Sequence, residues 1–196
     1  MAGKSRIQTM EENRAKMIAA ARKAFAEKGF AEASMDDLTA SVGLTRGALY
    51  HSFGDKKGLL AAVVAQIDGE MAQRAKAATA TASDDWERLM AEGVAYIKMA
   101  LDPEVRRIVL LDGPAFLGDP TPWPSQNSCL ESTRQTISKM IERNELKKMD
   151  TTVAAHLLNS AALNAALLIA ASDDPQRTLP HVIEVFTLLA SGLRNQ

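Results

Sequence analysis

Residues 34–59, SMDDLTASVGLTRGALYHSFGDKKGL, constrain this chain more than any other segment. Their apolar spacing and their punctuation describe two short helices joined by a tight turn, with a third helix starting directly after. Ser34 is placed to cap the first helix, and Asp37 stands where a capping-box acid belongs. Leu38 and Val42 supply its apolar face. Gly43 falls where the turn needs a residue at ease with positive φ. Thr45 can cap the second helix, and Leu49 and Phe53, four apart, anchor it to a core. Thr45, Arg46, Gly47, Tyr50 and His51 are left on or near the outer face. This is a helix-turn-helix, whose second helix can lie in a DNA major groove.

The rest of the chain also reads as helix, so the fold class is all-α. Val, Ile and Thr nowhere alternate with polar residues for long, while Ala, Leu, Met, Glu and Lys dominate. A first helix is expected over 10–28, with Thr9 and Glu12 as a capping box and Gly29-Phe30 as its stop. Asp55 caps a fourth helix that starts at Lys56 and turns Ala-rich and polar through 82. A fifth runs from Ser83 or Asp84 to Leu101. Asp102-Pro103 opens another, which Gly113-Pro114 breaks before a turn at 115–117. Gly118 and three prolines make 118–125 a loop, with Trp123 packed down. Further helices are expected over 125–146, over 151–171 behind Asp150, and from 174 or 178 to 193. Segment 151–171 is apolar on most sides, so it must be buried on more than one.

Composition narrows the class. At 196 residues with 46% apolar and 24% charged side chains, the chain has the make-up of an ordinary soluble globular protein of one or two domains. A single Cys129 excludes an internal disulfide and suits a reducing cytoplasm. The first ten residues are basic but lack the apolar run of a signal peptide. The most apolar stretch, 161–171, is interrupted by Asn164 and reads as too short to span a membrane. Net charge is −1, unevenly spread. Residues 1–60 carry ten Lys/Arg against seven Asp/Glu; residues 61–196 carry thirteen against seventeen. A basic head on an acidic body fits a DNA-reading module joined to a part that does not touch DNA. Three scattered His and one Cys form no metal-ligand spacing, and neither a Walker loop nor G-x-S-x-G is present. No cofactor, metal site or enzymatic activity is expected.

The head resembles the tetracycline-repressor (TetR) family of bacterial transcriptional regulators. The similarity rests on FAEKGF (25–30), SMDDL (34–38), VGLTRGALY (42–50) and FGDKKGL (53–59). Glycines, aromatics and a lysine all fall at family spacing. The resemblance implies a three-helix DNA-binding domain over 1–55 and a helical effector-binding and dimerisation domain over 56–196. Two positions depart. Thr39 stands where the family usually has Ala at the helix–helix contact. Ser52 replaces the His that usually precedes the aromatic and often contacts phosphate; serine can make a weaker hydroxyl–phosphate bond.

Candidate DNA-binding residues are Ser34, Thr45, Arg46, Gly47, Tyr50, His51 and Lys56. Arg46, at the start of the recognition helix, is where a guanidinium can reach guanine O6 and N7 together. Thr45 caps the helix and offers a methyl to thymine. Gly47 would let backbone approach DNA closely, and Tyr50 offers a hydroxyl to phosphate. Lys56, in the first turn of the fourth helix, adds its charge to free N–H groups and makes an anion site. The resemblance implies that a lysine here contacts the DNA backbone.

For the body, the resemblance implies a homodimer and an effector pocket. The last two helices are the natural interface, two copies making a four-helix bundle. Candidate effector-binding residues are Trp86, Met90, Tyr96, Met99, Phe116 and Trp123, with His156 and Asn159 as polar groups. The same residues at helical spacing equally describe plain core. The segment RRIVLLDGPAFLG (106–118) is similar to one seen in many bodies of the family. The function implied is a cytoplasmic repressor of dyad-symmetric, double-stranded operator DNA, released by a small apolar effector. Alternatives are an effector-independent regulator or activator of the same fold, and a helical small-molecule-binding protein whose head does not bind DNA.

Overall fold

A computed structural model describes residues 5–195, without the side chains of 124, 125, 127 and 128. The sequence reading of the first ten residues therefore lies in part outside the described residues. Nine α-helices follow in order among the described residues: α1 (Arg6–Glu32), α2 (Met35–Ser41), α3 (Arg46–Phe53), α4 (Lys56–Ala77), α5 (Asp85–Lys98), α6 (Gly113–Leu117), α7 (Pro124–Glu142), α8 (Thr151–Ala171) and α9 (Pro175–Ser191). A 3-10 turn (Met99–Leu101) and a π-helical stretch (Val105–Asp112) lie between α5 and α6. Among the described residues, β pairing is limited to a bridge between Leu146 and Arg194.

Several caps fall where the residue types place them. Ser34 Oγ accepts from Asp37 N at 3.3 Å, Thr45 Oγ1 from Ala48 N at 3.2 Å, and Asp55 Oδ1 from Gly58 N at 2.7 Å. Asp150 caps α8 through Thr152 and Val153. Helix α1 starts earlier than Thr9. Ser5 and Gln8 form the capping box, so the Thr9–Glu12 pair lies inside the helix. Gly29 leaves helical dihedrals (φ 81°, ψ 164°), yet the chain makes a further turn to Glu32, so this glycine is a kink rather than a stop.

Three other boundaries move. Gly113-Pro114 does not break its helix: Gly113 N–H reaches back five residues to Ile108 O, and the wider π turn runs straight into α6. The π register places the residue without an N–H at the first turn of α6, where that donor is dispensable. Helix α7 ends at Glu142, because Asn144 takes φ 59° and Glu145 N returns to Met140 O. Helix α4 ends at Ala77, in a run of turns over 78–81.

Helix α8 sits among α5, α7 and α9 at the centre of the body. It buries Ala154, Ala155, Leu158, Ala162, Leu163, Ala166, Ile169 and Ala170. The whole helix has 21 residues and a mean hydropathy of 1.6, so by length and composition it is long and apolar enough to cross a membrane. That corrects the reading based on 161–171 alone. A bundle helix that is packed on one side and apolar on the other has the same composition.

Candidate functional site

On the head, Leu49 is fully buried and Phe53 half-buried, which holds α3 on α1 and α4 and turns its other face outward. Ser34, Thr45, Arg46, Gly47, Tyr50 and His51 are all exposed there. Gly47 is not required by packing: an added methyl would meet Thr45 Oγ1 at 3.7 Å, an ordinary contact. Arg46 is paired with Asp36 of α2 through Nε and Nη2, which raises the guanidinium pKa further; the sequence reading did not include this partner. Both side chains are exposed, so the pair is cheap to open. Thr39 is buried and satisfies its hydroxyl on Met35 O and Asp36 O, which fits it to the helix contact. Ser52 offers its carbonyl to Arg14 Nη1 at 2.8 Å, and the Arg14 guanidinium lies 4.5 Å from the Phe53 ring centre.

Lys56 faces the end of α1. Its Nζ donates to Ala31 O at 3.1 Å and sits 4.6 Å from the Phe30 ring centre. The other neighbour of Phe30 is Phe116, with ring centres 4.4 Å apart. Thus α4, the elbow of α1 and α6 meet at one aromatic ring. The π-helical stretch grips the same elbow. Asp112 Oδ2 accepts from Phe30 N at 2.8 Å, and Arg107 Nη2 reaches Lys28 O at 3.4 Å. A Cβ at Gly29 would lie 1.9 Å from Arg107 Nη2, so both the positive φ and this approach need glycine. Beside the elbow, Arg22 clamps Glu70 of α4 and Glu104 with four bonds of 2.7–2.8 Å. The pairing raises the Arg22 pKa, Glu104 contributing most, and lowers that of Glu70. Arg106 turns the other way and caps α8 at Ala170 O and Ser172 O. One stretch therefore holds the head's elbow and the end of α8.

The body encloses a cavity of about 610 Å³, measured out to its mouth, between α4, α5, α7, α8 and α9. Of the sequence candidates, Tyr96 and Asn159 line it. The others lie elsewhere. Trp86 packs at the core edge under the Arg194 guanidinium, Met90 is half-buried and Met99 is buried. Phe116 is at the elbow, and Trp123 covers Gly113, where a Cβ would lie 2.8 Å from its ring. His156 is exposed, beside a smaller cleft it shares with Asn159. The sequence reading missed Asp68, Glu92, Gln126, Cys129, Thr133 and Phe186.

The polar groups of the cavity are mostly paired. Gln126 Nε2 donates to Tyr96 Oη at 3.2 Å, and Thr133 Oγ1 donates to Asn159 Oδ1 at 3.1 Å. Asn159 Nδ2 is buried without a partner. Burial pushes Asp68 up to about 6 and raises Glu92, while Tyr96 is raised by burial and then by Asp68. Cys129 is pushed up to about 11, again by burial first. Asp68 holds its proton more tightly in the folded chain than in the unfolded one. Stability therefore falls as pH rises from about 4 to about 6, and the full cost remains above that window. Asp68→Asn is expected to raise stability near pH 7.5 by roughly 2–3 kcal/mol and to flatten this window. Thermal melts of both proteins across pH 4–8 check it.

Outside the cavity, Val153, Leu157 and Leu168 of α8 and Val185, Leu188 and Leu189 of α9 are exposed. They border two shallow apolar grooves between the helices, with the buried Phe186 at the base of both. Phe186 also forms part of the cavity wall, seated where a Cβ on Gly93 would lie 2.9 Å from its ring.

Comparison with known proteins agrees with this geometry. Residues 17–63 match the model for bacterial regulatory proteins of the tetR family, and residues 86–193 match the tetracyclin repressor-like C-terminal domain. A TetR-family transcriptional regulator from Pectobacterium atrosepticum superposes with a TM-score of 0.88 at 47% identity, covering 98% of this chain and 99% of that one. The Transposon Tn10 TetC protein of Escherichia coli is 27% identical over 160 residues, 77% of each chain. The HTH-type transcriptional repressor AcnR of Corynebacterium glutamicum is 36% identical over 61 residues, 31% of this chain and 32% of its own. The chain belongs to the TetR family of transcriptional regulators, a non-enzymatic family whose members bind operator DNA and dimerise.

Proposed function

We propose that this regulator is a cytoplasmic, homodimeric repressor. Residues 1–55 bind a dyad-symmetric operator, and residues 56–196 dimerise and hold a small molecule with an apolar body that releases the DNA. The observation that carries this is the layout of α4. Lys56 stands at its DNA-proximal end and Asp68 lines the cavity, about 18 Å further along at 1.5 Å per residue. A ligand that tilts this helix moves Lys56, the Phe30 elbow and the Arg22 clamp together, so it can favour a head spacing that no longer matches the grooves. The repressor sign draws support from the Corynebacterium relative, which is named a transcriptional repressor. The exposed apolar face of α8 and α9 is the proposed dimer interface.

On the DNA side, Arg46 swings from Asp36 to a base edge, Gly47 and Thr45 let α3 sit deep in the groove, and Ser34, Tyr50, His51 and Lys56 contact the backbone. Arg46→Ala and Lys56→Ala should then fail differently. Losing a bidentate base contact costs about 1–3 kcal/mol and relaxes preference at one base step. Losing the lysine weakens all sequences alike and lowers the salt slope by about 1. Binding measured across a set of single-base operator variants separates the two. An even loss across all variants for both mutants would remove Arg46 as a base reader.

A further inference from the structure

The cavity's lining also points to a class of ligand, an inference that rests on reading it as the effector site. Its walls are apolar at Ala72, Ala75, Leu89, Leu158, Ala162 and Phe186. Its ionisable lining is acidic at Asp68 and Glu92, and no Lys, Arg or His lines it. The two carboxylates act on a shared space, since both raise the Cys129 thiol between them. Lys76, exposed on α4, also acts on Glu92, from outside the lining. Asp68 is 3% exposed, and a carboxylate so placed destabilises the fold at neutral pH. A positive charge seated beside it recovers that cost, whereas an anion would face two acids with no countercharge in the wall. A neutral apolar ligand leaves the cost in place. A metal ion lacks a ligand set, since no group of three or more His, Cys, Asp or Glu gathers among the described residues. Asn159 Nδ2, buried and without a partner, adds one donor for an acceptor elsewhere on the same molecule.

We propose that the cavity selects a small organic cation, a protonated amine on an apolar or aromatic body, with its charge between Asp68 and Glu92 and its body against Leu89, Leu158 and Phe186. Calorimetric titration of the full chain near pH 7.5 with 4-phenylbutylamine, 4-phenylbutanol and 4-phenylbutyrate tests this, because the three share a body and differ in charge. The amine is expected to bind about tenfold or more tighter than the alcohol, with the carboxylate weakest. Asp68→Asn and Glu92→Gln, both near-isosteric, should each weaken the amine about tenfold or more and leave the alcohol within about twofold. Thermal melts confirm that the variants fold. The proposal is overturned if the alcohol or carboxylate binds as tightly as the amine. It is equally overturned if the amine fails to bind below millimolar concentration, or if both variants keep wild-type amine affinity. Operator titrations in parallel separate this from the regulatory reading. An amine that binds with this charge dependence but leaves operator affinity unchanged upholds the ligand class and overturns the effector role. A neutral ligand that loosens the operator does the reverse.

Discussion

Leu188→Glu, or Leu157→Glu, is expected to leave a folded monomer that no longer holds operator DNA. Both side chains stand on the apolar face of α8 and α9, 65% and 67% exposed in a single chain. A carboxylate there meets water in the monomer, so helix content and the packed interior should be unchanged. In a two-fold dimer the same substitution is buried twice. At about 3 kcal/mol or more for each unpaired buried charge, the dimer weakens by about 6 kcal/mol, roughly four decades in dissociation constant. Sedimentation velocity at micromolar concentration reads this directly, with circular dichroism as the control. A variant that still sediments as a dimer would place the interface elsewhere. A wild type that sediments as a monomer would remove it altogether.

Gly58→Ala should disable the head while sparing the dimer. A Cβ at this position would lie 1.8 Å from the carbonyl oxygen of Phe53 and 3.0 Å from its carbon. The obstacle is backbone at the end of the recognition helix, which cannot rotate away as a side chain can. Either α3 shifts or the first turn of α4 opens, and the Asp55 cap on Gly58 N is lost with it. We expect a cost of about 2–4 kcal/mol, concentrated in the head, and loss of measurable operator affinity. Gly69 of the same helix is the control, because nothing lies within 4 Å of a Cβ built there. Gly69→Ala should stabilise the chain by about 0.5–1 kcal/mol and leave DNA binding intact. Calorimetric melts and operator titrations of the pair distinguish a local clash from a general intolerance of α4.

The head was legible in the sequence because its signals are local. Ser34, Thr45 and Asp55 each cap within three residues of themselves, and Gly43 takes its positive φ alone. Arg46's partner was not legible, because Asp36 also reads as an acid in the first turn of α2, favourable there without any partner. Thr9–Glu12 lost to Ser5–Gln8 as capping box because both fit the pattern and nothing local ranks them. Gly113-Pro114 read as a break on α-helical rules, and the π register that absorbs it leaves no trace in residue types. Large apolar residues drew attention to Met99, Phe116 and Trp123, yet the core and the elbow use them. The cavity is lined instead by polar residues of amphipathic helices, which read as solvated faces. Asp68 did leave a signal: it follows Leu60 and Val64 at steps of four, on the stripe that packs inward. A lone acid on such a stripe is worth treating as a ligand contact before it is treated as surface.

Operator affinity as a function of salt tests the central claim most directly, using the duplex that this protein protects beside its own gene. Two heads neutralising about 6–10 phosphates between them predict a log–log slope of about −5 to −9, at about −0.9 per phosphate. The same account predicts one dimer per dyad and a marked loss of affinity on a scrambled duplex. A slope shallower than about −2, or equal affinity for unrelated sequences, would contradict it.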